Sequence, residues 1–167
     1  MDVMNLPSSN TKQKNSFAQL LKQIQNDFTD VIFTSSDSFY WSGESRTIYY
    51  DVAGQDPAWS LLHELGHMVR AHNTYNSDTR LVQMEMEAWE TAKQLAPRYG
   101  LTISDTHIQD CIDSYRSWQH LRSKCPKCEQ AGIEKQGGRY HCINCQHNWR
   151  VTDKRFCRVY RMKTEPS

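Results

Sequence analysis

His63-Glu64-Leu65-Gly66-His67 spells H-E-x-x-H. On a helix, side chains at i and i+4 lie one above the other on the same face. The two imidazoles can therefore grip one metal ion while Glu64 projects toward the open side of that metal. A catalytic zinc keeps three protein ligands and a water, and H-E-x-x-H supplies two ligands plus a general base for the water. The competing reading is a helix whose two histidines are merely solvated. The union of ligand spacing with a base favours zinc.

The helix that carries the motif has a clear start. Asp56 stands as N-cap and Pro57 at the first helical position. Trp59, Leu61, Leu62, Leu65 and Val69 continue it to about Ala71. Gly66 inside a helix costs about 1 kcal/mol relative to Ala, so it wants a reason, such as close approach of another backbone or of substrate.

Upstream, Phe17, Leu20, Leu21 and Ile24 fall at i, i+3, i+4 and i+7 and predict an amphipathic helix over Thr11 to Phe28, after a polar start at residues 1–10. Three short β-rich runs follow, Val31-Ile32-Phe33, Phe39-Tyr40-Trp41 and Thr47-Ile48-Tyr49-Tyr50, as in a small meander or hairpin. The last of them precedes the H-E-x-x-H helix and is expected either to cover the helices or to offer a free edge to an extended peptide.

Downstream, residues 73–78 read as loop, with Ser77 or Asp78 capping a helix through Leu95 or Ala96. Ser104-Asp105 opens another, with Ile108, Cys111, Ile112, Tyr115, Trp118 and Leu121 at helical spacing. A gluzincin-type site takes its third ligand from a carboxylate on a later helix. The first downstream helix offers Glu85, Glu87 and Glu90. Glu87 and Glu90 share a face, whereas Glu85 lies about 200° around from Glu87. Glu87 is the expected third ligand and Glu90 an outer partner to it; the alternative is that all three are solvated surface acids. Ala88 and Ala92 are small enough to let the two helices approach. A metzincin would need H-E-x-x-H-x-x-G-x-x-H, but Arg70 stands at the Gly position and Asn73 at the third His. His72 is then a rim or outer-shell histidine. Tyr99, His107 and Tyr115 are candidates for stabilising an oxyanion.

HELGHMVRAH, followed by EAWETA, resembles the ImmA/IrrE family of small zinc metallopeptidases over about residues 11–100. The family pattern is HELGH, often with a His a few residues on, then E-A-x-x-F-A on the next helix. Glu87-Ala88 and Ala92 match the second motif, while Thr91 stands at the Phe position. The resemblance implies a minimal gluzincin fold in which a small sheet backs the active-site helix. It also implies regulated cleavage of a specific protein, often a repressor governing a mobile element or stress response.

Cys125-Pro126-Lys127-Cys128 and Cys142-Ile143-Asn144-Cys145 form two C-x-x-C knuckles 13 residues apart. This is close to the spacing of structural zinc sites. Four thiolates complete a tetrahedral shell, and a module of roughly 40 residues needs such a metal to fold. Gly137-Gly138 supplies a hairpin turn between the knuckles. His141 and His147 lie beside the second knuckle as substitute ligands, though four cysteines suffice. Cys111 reads as a helix core residue and Cys157 as a strand core residue.

The chain has 167 residues, 38% hydrophobic and 23% charged, and a net charge of +1. That charge hides an asymmetry. Residues 1–122 hold ten Lys+Arg against fifteen Asp+Glu, and residues 123–167 hold ten against four. A composition shift at Ser123 suggests a metallopeptidase domain over 1–122 and a zinc ribbon over 123–167, in an α+β chain. No apolar run is long enough to span a bilayer. The absence of a signal-peptide pattern points to a reducing cytoplasm, where cysteines serve as metal ligands rather than disulfides. In the tail, Arg139, Arg150, Lys154, Arg155, Arg158 and Arg161 alternate with Tyr140, Trp149 and Phe156. Such a surface suits nucleic acid, or serves a solvated module that holds a protein substrate.

The expected function is zinc-dependent endoproteolysis, with two zinc ions per chain and a transcriptional regulator as substrate. The rivals are a non-proteolytic binder of DNA or protein with a metalloprotease-like fold, and a SprT-like protease acting on DNA-bound proteins. The second rival lacks its expected downstream His motif.

Overall fold

Thr47–Tyr50 (β3) is the centre of a three-stranded mixed sheet in the order β1-β3-β2. Ile32–Ser35 (β1) pairs with it in parallel and Tyr40–Ser42 (β2) antiparallel. The strand preceding the H-E-x-x-H helix therefore has no free edge, because both of its sides are hydrogen-bonded. A parallel partner cannot be reached through a hairpin turn. β2 fills the interval between β1 and β3 and leaves the two outer positions as the edges. Tyr40 and Tyr49, partners across β2 and β3, stack at 4.2 Å between ring centroids.

The structure is a computed structural model that describes residues 9–152 and 161–163. The predictions for residues 1–8, Lys154, Arg155, Phe156, Cys157 and Arg158 lie outside the described residues. The described chain is α+β: four helices, the three-stranded sheet, and a second sheet of four strands taken in chain order. None of the helices is long and apolar enough to cross a membrane.

Two compact units emerge, Met1–Asn73 with Glu87–Ile103, and Thr74–Met86 with Ser104–Ser167. In the first, helix α1 (Ser9–Asp27) buries Phe17, Leu20 and Ile24 of the predicted stripe, while Leu21 is half-buried. The Phe17 ring meets Tyr50 of β3 at 5.8 Å. Helix α2 (Pro57–Val69) has Pro57 at its first turn, and Leu61, Leu62 and Leu65 are fully buried.

Helix α3 (Asp78–Leu95) begins in the second unit and ends in the first, followed by a 3₁₀ turn at Ala96–Tyr99. Ser77 caps it by accepting a hydrogen bond from the Arg80 backbone N–H at 3.0 Å. A carboxylate also serves this terminus: Glu134 accepts from the backbone N–H groups of Asp78 and Thr79. Those N–H groups have no partner within the helix, and a negative charge suits the positive end of the helix dipole.

In the second unit, helix α4 (Asp105–Ser123) leads into the ribbon strands β4 (Ile133–Lys135), β5 (Arg139–His141), β6 (Asn148–Val151) and β7 (Arg161–Lys163). Cys111 on α4 is half-buried rather than a core residue. The composition change at Ser123 marks the end of α4, while the unit that holds the ribbon also takes in α4 and the start of α3. A buried polar network explains why. Arg122 grips Asp78 with both arms, at 2.5 and 3.0 Å, and Tyr140 donates to Asp78 at 2.6 Å. The Trp149 indole N–H donates to the Arg122 carbonyl at 3.0 Å. Burial, and then the bond to Asp78, push the Tyr140 phenol well above its ordinary value.

Candidate metal centres

Within α2 the two motif histidines stand as the i, i+4 spacing requires. Their Nε2 atoms lie 3.1 Å apart, and both side chains are buried, as is Glu64. Two nitrogens bound to one tetrahedral zinc at about 2.0–2.1 Å stand roughly 3.3 Å apart, so the pair is set for a shared ion. Trp89 of α3 packs on the His63 ring at 4.3 Å and fixes its plane.

Gly66 has its reason. A Cβ there would lie 2.3 Å from the Ala88 carbonyl oxygen, so only glycine lets the α3 backbone come this near. Ala88 and Ala92 are fully buried. Thr91 of α3 accepts a hydrogen bond from Arg70 at 2.8 Å, which ties α3 to the residue following α2.

The carboxylate gathered with the histidines is Glu85. Ligand atoms of His63, His67 and Glu85 all lie within 4.8 Å of one another, and Glu85 is buried. Glu87, expected as the third ligand, instead meets His72: its Oε2 is 2.9 Å from His72 Nε2. The cause is the helix face. α3 is one continuous helix, and Glu85, Ala88, Trp89 and Ala92 occupy i, i+3, i+4 and i+7 of the stripe turned to α2. Glu87 stands about 200° around from Glu85. Glu90, expected as an outer partner, is exposed.

His72, expected as a rim or outer-shell histidine, lies beside His67. Its Nδ1 is 3.0 Å from Nδ1 of His67, so Glu87, His72 and His67 form one line of contacts. The His72 carbonyl accepts from the Trp41 indole at 2.9 Å, which anchors it to β2. Of the oxyanion candidates, Tyr99 is committed elsewhere: it donates to Asp27 at 3.0 Å. Burial, and then that bond, push its phenol up to about 12.

The four ribbon cysteines converge as their spacing predicts. Their sulfurs lie within 4.8 Å of one another, with Cys125–Cys145 at 3.6 Å and Cys128–Cys142 at 3.4 Å. A disulfide would need about 2.0 Å, whereas four sulfurs at about 2.3 Å from one zinc stand roughly 3.8 Å apart. The thiols influence one another. A hydrogen bond with the Asn144 side chain, followed by one from the Gln130 backbone, lowers Cys128 to about 6. Cys145 accepts a backbone bond from His147 that lowers it, yet burial and its cysteine neighbours push it up to about 12. A thiolate at one corner thus opposes ionisation at another, and a divalent cation relieves that opposition. His141 is turned to Asn148 at 2.9 Å and His147 stacks near Trp149, so neither joins the cluster.

Both groups have the donor chemistry of metal sites: two imidazoles with a carboxylate, and four thiols. Comparisons with protein-family models, with curated proteins and with solved structures find no match to this chain.

Proposed function

We propose that the chain is a zinc-dependent endopeptidase of the gluzincin type, with His63, His67 and Glu85 as ligands and Glu64 as general base. The observation that carries this reading is the buried grouping of His63, His67 and Glu85 around an intact H-E-x-x-H. A bound zinc supplies Lewis acidity, lowering the pKa of its water toward about 7 and polarising the scissile carbonyl. Glu64 removes a proton from the water that attacks the carbonyl carbon, and returns it to the amide nitrogen as the C–N bond breaks. General-base help of this kind is worth about 10²–10⁴ in rate. His72 and Glu87 hold His67 with its Nε2 toward the ion. The four cysteines hold a second, structural zinc.

The resemblance to ImmA/IrrE peptidases supports an intracellular regulatory protein as substrate, in a reducing cytoplasm. The test is cleavage of a diverse peptide library followed by mass spectrometry, comparing the protein with Glu64→Gln. The reading expects wild-type cleavage that chelation stops, and an inactive variant that keeps two zincs. Equal cleavage by both proteins rules the mechanism out.

A further inference from the structure

The outward face of the ribbon carries a row of cations. Lys135 pairs in register with Arg139, and Arg139 with Arg150, so the three stand side by side across β4, β5 and β6. All three are exposed. Their strand neighbours Glu134, Tyr140 and Trp149 point the other way, into the network with Asp78 and Arg122. Among the described residues of β4, β5 and β6, the outward face therefore holds Ile133, Lys135, Arg139, His141, Asn148 and Arg150, with no acid. Glu129 is paired with Lys124 at 3.3 Å, and Glu134 is engaged at the α3 terminus. Like charges directly opposite on neighbouring strands destabilise a sheet. A polyanion laid along the row would relieve both juxtapositions.

At the turn between β4 and β5 lies a cavity of about 610 Å³, lined by Tyr75, Asn76, Gln136 and Arg139 and also by the ion-paired Asp78 and Arg122. At Gly137, in the turn beside this cavity, φ is +70° and nothing lies within 4 Å of where a Cβ would stand. The space admits an unstacked nucleotide. Tyr75 is 44% exposed and offers a ring for a base to stack on. Asn76 and Gln136 each present an amide donor and acceptor suited to a base edge. Arg139 belongs to both the row and the cavity, and so joins a phosphate position to a base position.

We propose that this face binds single-stranded nucleic acid, with the backbone along Lys135, Arg139 and Arg150 and one base in the cavity beside Tyr75. An acidic peptide would use the charges and leave the amides and the ring idle. A duplex keeps its bases stacked and out of the cavity. This inference stands apart from the peptidase reading, and its test involves no cleavage.

The test is fluorescence anisotropy of the zinc-loaded full chain with a labelled single strand of about fifteen nucleotides. Duplex of equal length and poly-glutamate serve as competitors. Three phosphate contacts predict a slope of log affinity on log salt near −2, since single strands give about −0.7 per contact. Replacing Lys135, Arg139 and Arg150 together by Gln should weaken binding at least tenfold with zinc content unchanged. Tyr75→Ala should weaken single-strand binding while leaving the salt slope as it was. Absence of binding at low salt, a salt slope near zero, or equal competition by poly-glutamate or duplex overturns the proposal.

Discussion

His72 Nε2 lies 2.9 Å from Glu87 Oε2, while Nδ1 of the same ring lies 3.0 Å from His67 Nδ1. In the proposed zinc site, with His67 Nε2 on the metal, its Nδ1–H would donate to His72 and the His72 Nε2–H would donate to Glu87. The Glu87 carboxylate would then set the tautomer of His67 through an intervening imidazole. Outer partners of this sort typically change metal affinity by about 10–100-fold when removed. Glu87→Ala should therefore weaken zinc at the histidine site by about that factor, whereas Glu85→Ala should abolish it. Competitive titration with a chromophoric chelator separates the two. Loss of the site in Glu87→Ala with retention in Glu85→Ala would reverse the assignment.

Gly66→Ala tests the contact between α2 and α3. Alanine favours a helix by about 1 kcal/mol, but here its Cβ would meet the Ala88 carbonyl oxygen at 2.3 Å. Overpacking of this kind costs about 1–3 kcal/mol. The variant should lose net stability in urea and bind zinc more weakly at His63 and His67. A variant more stable than the wild type would show that the approach is not rigid.

The Asp78 network predicts an order of effects. Tyr140→Phe removes one hydrogen bond to a charged carboxylate and should cost about 1.5–3 kcal/mol. Arg122→Met leaves the buried Asp78 carboxylate without its cation and should cost about 3–5 kcal/mol. Asp78 and Arg122 side chains are only 5% and 2% exposed, so water offers little relief. Denaturant unfolding followed by Trp fluorescence gives both values, and equal losses would argue against the network.

Tyr99 predicts a sensitivity to alkali. Its phenol is raised from 10.0 to about 12 in the folded chain, chiefly by burial. The unfolded chain therefore ionises first as pH rises. The stabilisation is complete below about 10 and is lost progressively as pH rises toward about 12. Tyr99→Phe should flatten the fall of stability across that window. In spectra of ring-labelled tyrosine, the resonance that this variant lacks should titrate near the top of the window.

Local spacing made much of this architecture legible. Pro57 announced α2, Ser77 announced the start of α3, and the two C-x-x-C knuckles announced a four-sulfur cluster, because each depends on residues within a turn or two of one another. Strand order was less legible: that β3 lies between β1 and β2 rests on a parallel pairing that no hairpin turn dictates. The choice among Glu85, Glu87 and Glu90 depended on which face of α3 is buried. Ala88, Trp89 and Ala92 mark that face, and extending their stripe back one turn reaches Glu85. The tie from Asp78 to Arg122 and Tyr140 joins residues 44 and 62 positions apart, beyond the reach of local pattern.

In the proposed arrangement His63, His67 and Glu85 hold one zinc while the four cysteines hold another. Diffraction from zinc-loaded crystals on either side of the zinc absorption edge tests it directly. Two anomalous peaks are expected, one within about 2.0–2.2 Å of the His63 and His67 Nε2 atoms and a Glu85 oxygen, the other about 2.3 Å from each of four sulfurs. A single peak at the cysteines, or a histidine-bound ion ligated by Glu87 in place of Glu85, would contradict it.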